Sequence, residues 1–297
     1  MNSGTVAVVG RANAGKSTLI NVIVGEKVSI VSPKPQTTRD RILAVYNGDD
    51  CQIVFLDTPG IYKAASLLSE RMQKTAETTA KDVDLVLILV DAHEGLKDED
   101  NELIARFLKR GSYKVGLVFT KTDIMPESLL PSVLKSLDVD RERASFITSV
   151  SARTGRNVKK LISLIKENLP EGDKIIEDDI ISDKSEKFMI AEIMREKILL
   201  KYDKEIPHGV AIVINNFERR KNGTYYVNLD IVCEKQNHKA IIIGKQGQAL
   251  KKTAGFAREG MEKFLGAKVY LETYVKVKED WRDRPDRLKE YGYEQNN

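Results

Sequence analysis

Residues 10–17 read GRANAGKS and fit the pattern G-x-x-x-x-G-K-[ST] at every position. Glycines at both ends let a backbone loop wrap closely enough for its N–H groups to face one anion. In such a loop Lys16 reaches the β- and γ-oxygens of a triphosphate, and the Ser17 hydroxyl holds Mg2+. The loop follows an apolar strand pattern, TVAVVG (5–10), and opens a helical one near Lys16. The helix N-terminus adds its dipole to the attraction. The residues expected around the phosphates are therefore Gly10, Arg11, Ala12, Asn13, Ala14, Gly15, Lys16, Ser17 and Thr18.

Further stretches follow in the order a nucleotide switch requires. DTPG (57–60) closes an apolar strand. Asp57 there can hold Mg2+ through water, and Gly60, after Thr58 and Pro59, can offer its N–H to a γ-phosphate. QTTRD (36–40) supplies a hydroxyl, Thr38 in preference to Thr37, that reaches Mg2+ only while the γ-phosphate is present. TKTD (120–123) ends another strand. The Asp123 carboxylate can accept from both N1–H and the N2 amino group of guanine; adenine lacks that donor pair and would leave the acid unpaired. The Lys121 stem can cover the purine face, and Val150, Ser151 or Ala152 can supply a backbone N–H for the guanine oxygen. A metal set of Ser17, Thr38 and Asp57 is expected.

A second glycine loop stands in KAIIIGKQGQALKK (239–252), where an apolar, strand-like run meets a turn and then Lys-rich helical sequence. GKQG (244–247) lacks the Lys-Ser/Thr pair after its glycines, so it cannot hold a metal-bound triphosphate by the first route. Gly244 and Gly247 permit close backbone approach, and Lys245 beside Gln246 adds a cation. Ile241, Ile242 and Ile243 divide between core and an apolar groove, with Lys239, Lys251 and Lys252 around the loop. No acidic residue falls between His238 and Gly255.

Two layers of elements must position these loops. Apolar runs at 5–10, 51–57, 84–91, 113–120 and 144–150 predict strands buried on both faces of a mainly parallel sheet. Amphipathic stretches at 97–110 and 157–169 predict helices on both faces. RILAVYN (41–47) hairpins onto 51–57, which makes one edge strand antiparallel. An acidic, aperiodic stretch over 171–184 reads as a linker between domains at 1–170 and 185–297. Beyond it comes a helix from 185, with Asp183 and Glu186 spaced as a capping box. Two strands turned at Lys221-Asn222-Gly223 follow, then a short helix, the glycine turn, a long helix and a last strand at 267–278.

The 297 residues are 41 % hydrophobic and 31 % charged, which suits two globular domains. Charge is uneven: residues 1–180 carry 25 Lys+Arg against 26 Asp+Glu, whereas 235–278 carry 10 against 3. Clustered cations of that kind attract nucleic-acid phosphates. Cys51 and Cys233 lie far apart, the three histidines lack ligand spacing, and the N-terminus enters a strand pattern at once. A cytoplasmic protein with no disulfide framework, zinc site or signal peptide is expected, and a monomer.

The first set of motifs resembles the G1–G5 set of TRAFAC-class GTPases. GKQG, within the order helix, strand, strand, helix, loop, helix, strand, resembles a type II KH domain, whose loop clamps about four nucleotides of a single strand. Joined in one chain, and with YVKVKEDWRDRPDRLKEYGY (274–293) behind them, they resemble the Era family of bacterial ribosome-assembly GTPases over almost the whole length. The resemblance implies an α/β P-loop GTPase domain followed by a smaller α+β KH domain. It also implies GTP/GDP and Mg2+ binding, GTP hydrolysis, contact with 16S rRNA near its 3′ end, and assistance to 30S assembly. Catalysis would fall to Lys16, Thr38, Gly60 and Asn13, and RNA contact to Ile243–Gly247 with the surrounding lysines. In relatives with G-x-P-N-x-G-K-S the asparagine ligates K+; here Asn13 keeps its place although Ala12 replaces proline, and a bond within its own turn is the alternative. Thr120 stands where the base motif has asparagine, which weakens the expected nucleotide affinity, and Ile61 stands where a water-orienting glutamine is common. Peripheral membrane contact is also implied, and a membrane-associated GTPase docking its basic surface on anionic lipid is the alternative function.

Overall fold

In the computed structural model, residues 1–60, 66–109, 113–125, 130–135, 137 and 141–293 are described. The chain divides into two compact units. One comprises Met1–Ser29, Thr38–Lys63 and Met72–Asp183; the other comprises Ile30–Thr37, Ala64–Arg71 and Lys184–Asn297.

Along the first part run β1 (Asn2–Gly10), α1 (Lys16–Val24), β2 (Ile42–Asn47), β3 (Cys51–Asp57), α2 (Leu67–Thr79) and β4 (Leu85–Asp91). They are followed by α3 (Asp98–Lys109), β5 (Lys114–Thr120), α4 (Leu130–Lys135), β6 (Phe146–Ser149) and α5 (Val158–Asn168). The strands form one sheet in the order β2-β3-β1-β4-β5-β6. Only β2 runs antiparallel, paired Ile42 to Asp57, as the hairpin reading expects. The central strands are apolar throughout because both faces are covered. Val6 and Val8 meet Leu19 and Ile20 of α1 and Leu161 and Ile165 of α5. Ala7 and Val9 point the other way, into a cluster with Leu103, Ile104 and Phe107 of α3. Each such aliphatic side chain contributes about 1.5–3 kcal/mol when fully buried. Asp98, Glu99 and Asp100 in the first turn of α3, and Arg106 and Lys109 in its last, complement the helix dipole.

The parallel sheet sends the C-terminal ends of β1, β3, β5 and β6 to one edge. Gly10, Asp57 and Thr120 end their strands there, and Val150 follows β6. That edge is where open α/β sheets bind ligands.

The 171–184 stretch is not a free linker. Its residues through Asp183 belong to the first unit. Gln52 on β3 accepts from the Ile175 and Ile176 N–H groups at 2.7 and 2.9 Å and donates to the Ile176 carbonyl at 2.7 Å. Asp183 accepts from the Leu43 N–H at 2.9 Å and does not cap the next helix. That helix, α6 (Glu186–Lys201), starts at Ser185, whose hydroxyl accepts from the Phe188 N–H at 3.2 Å. The cap moved because an edge strand offered Asp183 an unpaired donor.

In the second unit α6 precedes β7 (Ala211–Arg219), β8 (Tyr225–Cys233), α7 (Gln236–Ile243), α8 (Gln248–Leu265), β9 (Val269–Val277) and α9 (Pro285–Glu290). The sheet order is β7-β8-β9, antiparallel between β7 and β8 and parallel between β8 and β9. The hairpin turns at Gly223, whose φ of 83° is left-handed. Ile190, Ile193, Met194 and Ile198 of α6 pack with Val227, Leu229 and Ile231 of β8 and with Ala257 and Met261 of α8. The short helix expected before GKQG is α7, although its isoleucine run is strand-like in composition. Ile242 is buried, while Ile241 is 50 % exposed, a one-sided pattern that suits a short helix on a core.

Candidate phosphate loops and their surroundings

The first loop is shaped by backbone geometry. A Cβ at Gly10 would meet the Leu89 carbonyl oxygen at 2.5 Å, so β1 can pass β4 this closely only with glycine. Gly15, left-handed at φ 87°, starts α1, and Asn13 is also left-handed at φ 64°, a conformation asparagine tolerates. Lys16 is 6 % exposed and folds back across the loop, donating to the Gly10 and Arg11 carbonyls at 3.2 and 3.0 Å. Burial lowers its pKa to about 8, against the opposing charge of Asp57. The Arg11 side chain turns aside to Asp100 at 2.9 Å and Glu94 at 3.4 Å, so only its backbone faces the loop.

Three oxygens converge beneath the loop. Ser17 Oγ donates to Asp57 Oδ2 at 2.7 Å and lies 2.8 Å from Thr38 Oγ1, which is 3.5 Å from the same carboxylate. The structure thus brings Thr38 to this point, whereas Thr37 Oγ1 donates to the Lys34 carbonyl at 2.6 Å. Asp57 is buried, its Oδ1 has no partner among the described residues, and its pKa is raised by burial. Hydrogen bonds from Ser17, Ser29 and Thr38 and the charge of Lys16 oppose that shift without cancelling it. A hard divalent cation fits this set: two hydroxyls, one carboxylate and an orphaned carboxylate oxygen, all oxygen donors. Such a cation would favour the Asp57 anion against the effect of burial, as a phosphate beside Lys16 would favour the ammonium. Ser29, which donates to Asp57 Oδ2 at 2.9 Å, escaped sequence reasoning because no motif spacing ties it to the others.

Thr58 donates to the Val8 carbonyl at 2.8 Å and anchors the DTPG turn to β1. Pro59 and Gly60 are buried behind it. A Cβ on Gly60 would meet the Ala12 Cα at 2.8 Å and N at 2.9 Å, so this turn presses directly on the first loop. Ile61 lies outside the described residues.

The base motif is tied to the same loop. Thr120 Oγ1 donates to the Ala14 carbonyl at 2.8 Å and approaches the Val90 carbonyl at 3.2 Å, so the hydroxyl makes the loop contact expected of an amide. Lys121 is left-handed at φ 58° and pairs with Asp91 at 2.6 Å. Ser151 Oγ donates to Asp123 Oδ1 at 2.7 Å and orients the carboxylate. Of the three amides expected for the guanine oxygen, two are already used. The Val150 N–H donates to the Phe119 carbonyl at 2.8 Å, and that of Ser151 to the Arg156 carbonyl at 3.1 Å. The Ala152 N–H has no backbone acceptor among the described residues. Asp91 was missed as well, although an acid ending an apolar strand at the ligand edge is a usable signal. Thr18 is half-buried on the first turn of α1.

GKQG has comparable constraints. A Cβ on Gly244 would meet the Ala249 Cβ at 2.5 Å, and Gly247 is left-handed at φ 77° as it starts α8. Gln246 is also left-handed, at φ 50°. Tyr202 fixes the base of the loop by donating to the Ile242 carbonyl at 2.9 Å. Ile243 and Lys239 are half-buried, whereas Lys245, Lys251 and Lys252 are exposed around the turn. Within the same unit Arg195, 1 % exposed, donates to the Gln36 carbonyl at 3.3 Å and to the Thr37 carbonyl. Glu196 accepts from the Val31 N–H at 3.1 Å. The segment directly before Thr38 is therefore held by α6.

Comparison with known proteins places both halves of the chain in known families. A model of the 50S ribosome-binding GTPase family matches residues 5–121, and a KH domain model matches 205–282. GTPase Era of Clostridium kluyveri is 46 % identical over 293 residues, covering 99 % of each chain. That of Clostridium beijerinckii is 46 % identical over 296 residues, covering 99 % of this chain and 98 % of its own. A variant of Aquifex aeolicus Era bound to GDP·AlF4− is 37 % identical with a TM-score of 0.94, covering 99 % of each chain. A structure of Era with MgGDPNP and nucleotides 1506–1542 of 16S ribosomal RNA is 38 % identical with a TM-score of 0.94, again over 99 % of each chain. Among the described residues no helix is long and apolar enough to cross a membrane, and no group of three or more His, Cys, Asp or Glu is placed to hold a metal ion.

Proposed function

This chain belongs to the Era family of GTPases, and from that premise we propose that it is a GTP-gated RNA clamp that assists assembly of the small ribosomal subunit. The observation that carries the reading is the meeting of Ser17, Thr38 and Asp57 under a buried Lys16. These three residues hold Mg2+, which supplies charge neutralisation to the phosphates. Lys16 and the loop amides bind the β- and γ-phosphates, and Gly60 donates its N–H to the γ-phosphate. Asp123, oriented by Ser151, accepts from guanine, while Ala152 donates to the guanine oxygen. Asn13 would hold K+, which would supply positive charge to the developing transition state. Hydrolysis is slow unaided, because the residue after Gly60 is Ile61, which has no group to orient water.

Gly244–Gly247, with Lys239, Lys245, Lys251 and Lys252, clamps single-stranded rRNA near the 3′ end of 16S, with Ile243 bordering the base groove. The hold of Arg195 on Gln36 and Thr37 supports coupling, since Thr38 is the next residue. Drawing Thr38 towards Mg2+ pulls on a segment that α6 grips, so RNA and nucleotide affinities must change by the same factor. The protein works in the cytoplasm as a monomer.

The test is RNA affinity measured with a non-hydrolysable GTP analogue and with GDP, in the wild type and in a Lys245→Asp/Gln246→Asp variant. The proposal expects nucleotide-dependent affinity that the variant loses while GTP binding is spared. Anionic vesicles that displace the RNA, with no effect of the variant, would favour lipid docking instead.

A further inference from the structure

The sheet of the second unit has a buried face and an open one. Val227, Leu229 and Ile231 of β8, with Val269 and Val275 of β9, lie in the core. The alternate residues form the other face. Register pairs Tyr226 with Tyr270, Asn228 with Glu272 and Asp230 with Tyr274. Tyr270 and Tyr274 are 52 % and 54 % exposed. The rings of Tyr226 and Tyr270 stack at 6.0 Å with planes 25° apart. The Arg220 guanidinium lies 4.6 Å from the Tyr226 ring centre and 5.5 Å from that of Tyr270. Between the two exposed rings, Glu272 accepts from the Tyr226 hydroxyl at 2.8 Å and from Asn228 Nδ2 at 3.1 Å. The hairpin tip beside them carries Arg219, Arg220 and Lys221 in succession, and no carboxylate occurs from Arg219 through Leu229.

Exposed tyrosines alone say little, since strands favour them. Here they come with a guanidinium already lying over two rings, a run of cations at one end, and a polar centre. Residues 270 and 274 are four apart on one strand, so their rings stand about 13 Å from each other at ~3.3 Å per residue. Aromatic rings stack with bases, and neighbouring cations take phosphates. Asn and Glu side chains between the rings match base-edge donors and acceptors. A protein partner would instead need an apolar centre that can be dried, and Asn228 with Glu272 occupies that place.

We propose that this sheet face is a second RNA surface, distinct from the GKQG loop, on which two bases of a single strand stack against Tyr270 and Tyr274 while Arg219, Arg220 and Lys221 hold the phosphates. The inference rests on the reading that the second unit binds RNA through GKQG. The face lengthens the bound strand beyond the nucleotides that one loop can clamp.

The test uses the full chain and an RNA of 16S nucleotides 1506–1542 carrying photoreactive thiouridine. Tyr270→Ala/Tyr274→Ala is expected to lower affinity about tenfold or more, the scale of losing stacked bases. Tyr270→Phe/Tyr274→Phe, which keeps the rings, retains wild-type affinity, and a matching thermal melt shows that both variants fold. Crosslinks should map to the peptide containing Tyr270 and Tyr274. Unchanged affinity in the alanine variant, alongside loss in Lys245→Asp/Gln246→Asp, overturns this surface and leaves the proposed clamp standing. Unchanged affinity in both variants overturns the clamp as well. An alanine variant that binds the RNA normally but no longer associates with small-subunit particles makes the face a protein-docking surface and likewise overturns the inference.

Discussion

Replacing Gly60 by alanine adds a single methyl group where two loops touch. The ideal Cβ falls 2.8 Å from the Ala12 Cα, 2.9 Å from the Ala12 N and 3.3 Å from Lys16 Nζ. The Lys16 amine can move by rotamer change, but the Ala12 atoms are backbone and cannot. Either the DTPG turn or the phosphate loop must shift. Forcing one methyl into a close-packed site costs about 1–3 kcal/mol. If that cost falls on the geometry of the phosphate site, affinity drops about 5–150-fold. The loss should be unequal. Both nucleotides need the loop, but in the proposed site the Gly60 N–H would serve the γ-phosphate alone, so GTP should suffer more than GDP. Titration with a non-hydrolysable GTP analogue and with GDP measures both arms, and a thermal melt reports the fold. Gly172→Ala is the control, since nothing lies within 4 Å of its Cβ. Gly60→Ala protein that binds the GTP analogue and GDP as the wild type does would refute the packing argument and the assigned role of the Gly60 amide.

Lys16→Ala removes the cation held across the loop at Gly10 and Arg11, and tight triphosphate binding should be lost; retained affinity in a filter-binding assay would exclude the loop as the phosphate site. Asp123→Asn replaces the acceptor that Ser151 orients with a group that can also donate, so preference should move from guanine towards xanthine, as read by competition between GTP and XTP. Hydrolysis should be faster in KCl than in NaCl at equal ionic strength if Asn13 places K+, and Asn13→Ala should erase the difference; equal wild-type rates would remove the ion from the mechanism.

Legibility followed how local each determinant is. The phosphate loop was readable because contiguous residues set it: Gly10 and Gly15 adopt their conformations within one short turn. The strands were readable because both faces of β1, β3 and β4 are buried, which forces unbroken apolar runs. The antiparallel edge strand followed from a short connection, and the hairpin at Gly223 from its turn residues. Helices α2 and α4 were missed; LLSERMQKTAETT offers only a weak apolar stripe. Residues 239–243 read as strand-like in composition, because three successive isoleucines satisfy either period; the element order placed a short helix there, and the burial of Ile242 against the exposure of Ile241 fits it.

The remaining determinants lie between distant parts of the chain. Gln52 can pin residues 175–176 only because β3 is a neighbour of β2 near the sheet edge, which no local pattern reveals. Asp183 was drawn from its expected helix cap by the Leu43 N–H for the same reason. Val150 and Ser151 looked equal to Ala152 as guanine donors until their amides were seen to be committed to Phe119 and Arg156. The grouping of Ile30–Thr37 with Lys184–Asn297 is the sharpest case. Sequence places that segment inside the nucleotide-binding half, yet its carbonyls are satisfied by a buried arginine some 160 residues later, Arg195 of α6. Motif spacing encodes where a phosphate is bound; it does not encode which helix holds the segment beside it. In the proposed coupling the hold on the residues before Thr38 therefore comes from Arg195, a residue of α6 outside every motif, and Thr38 follows directly on the carbonyl that Arg195 takes.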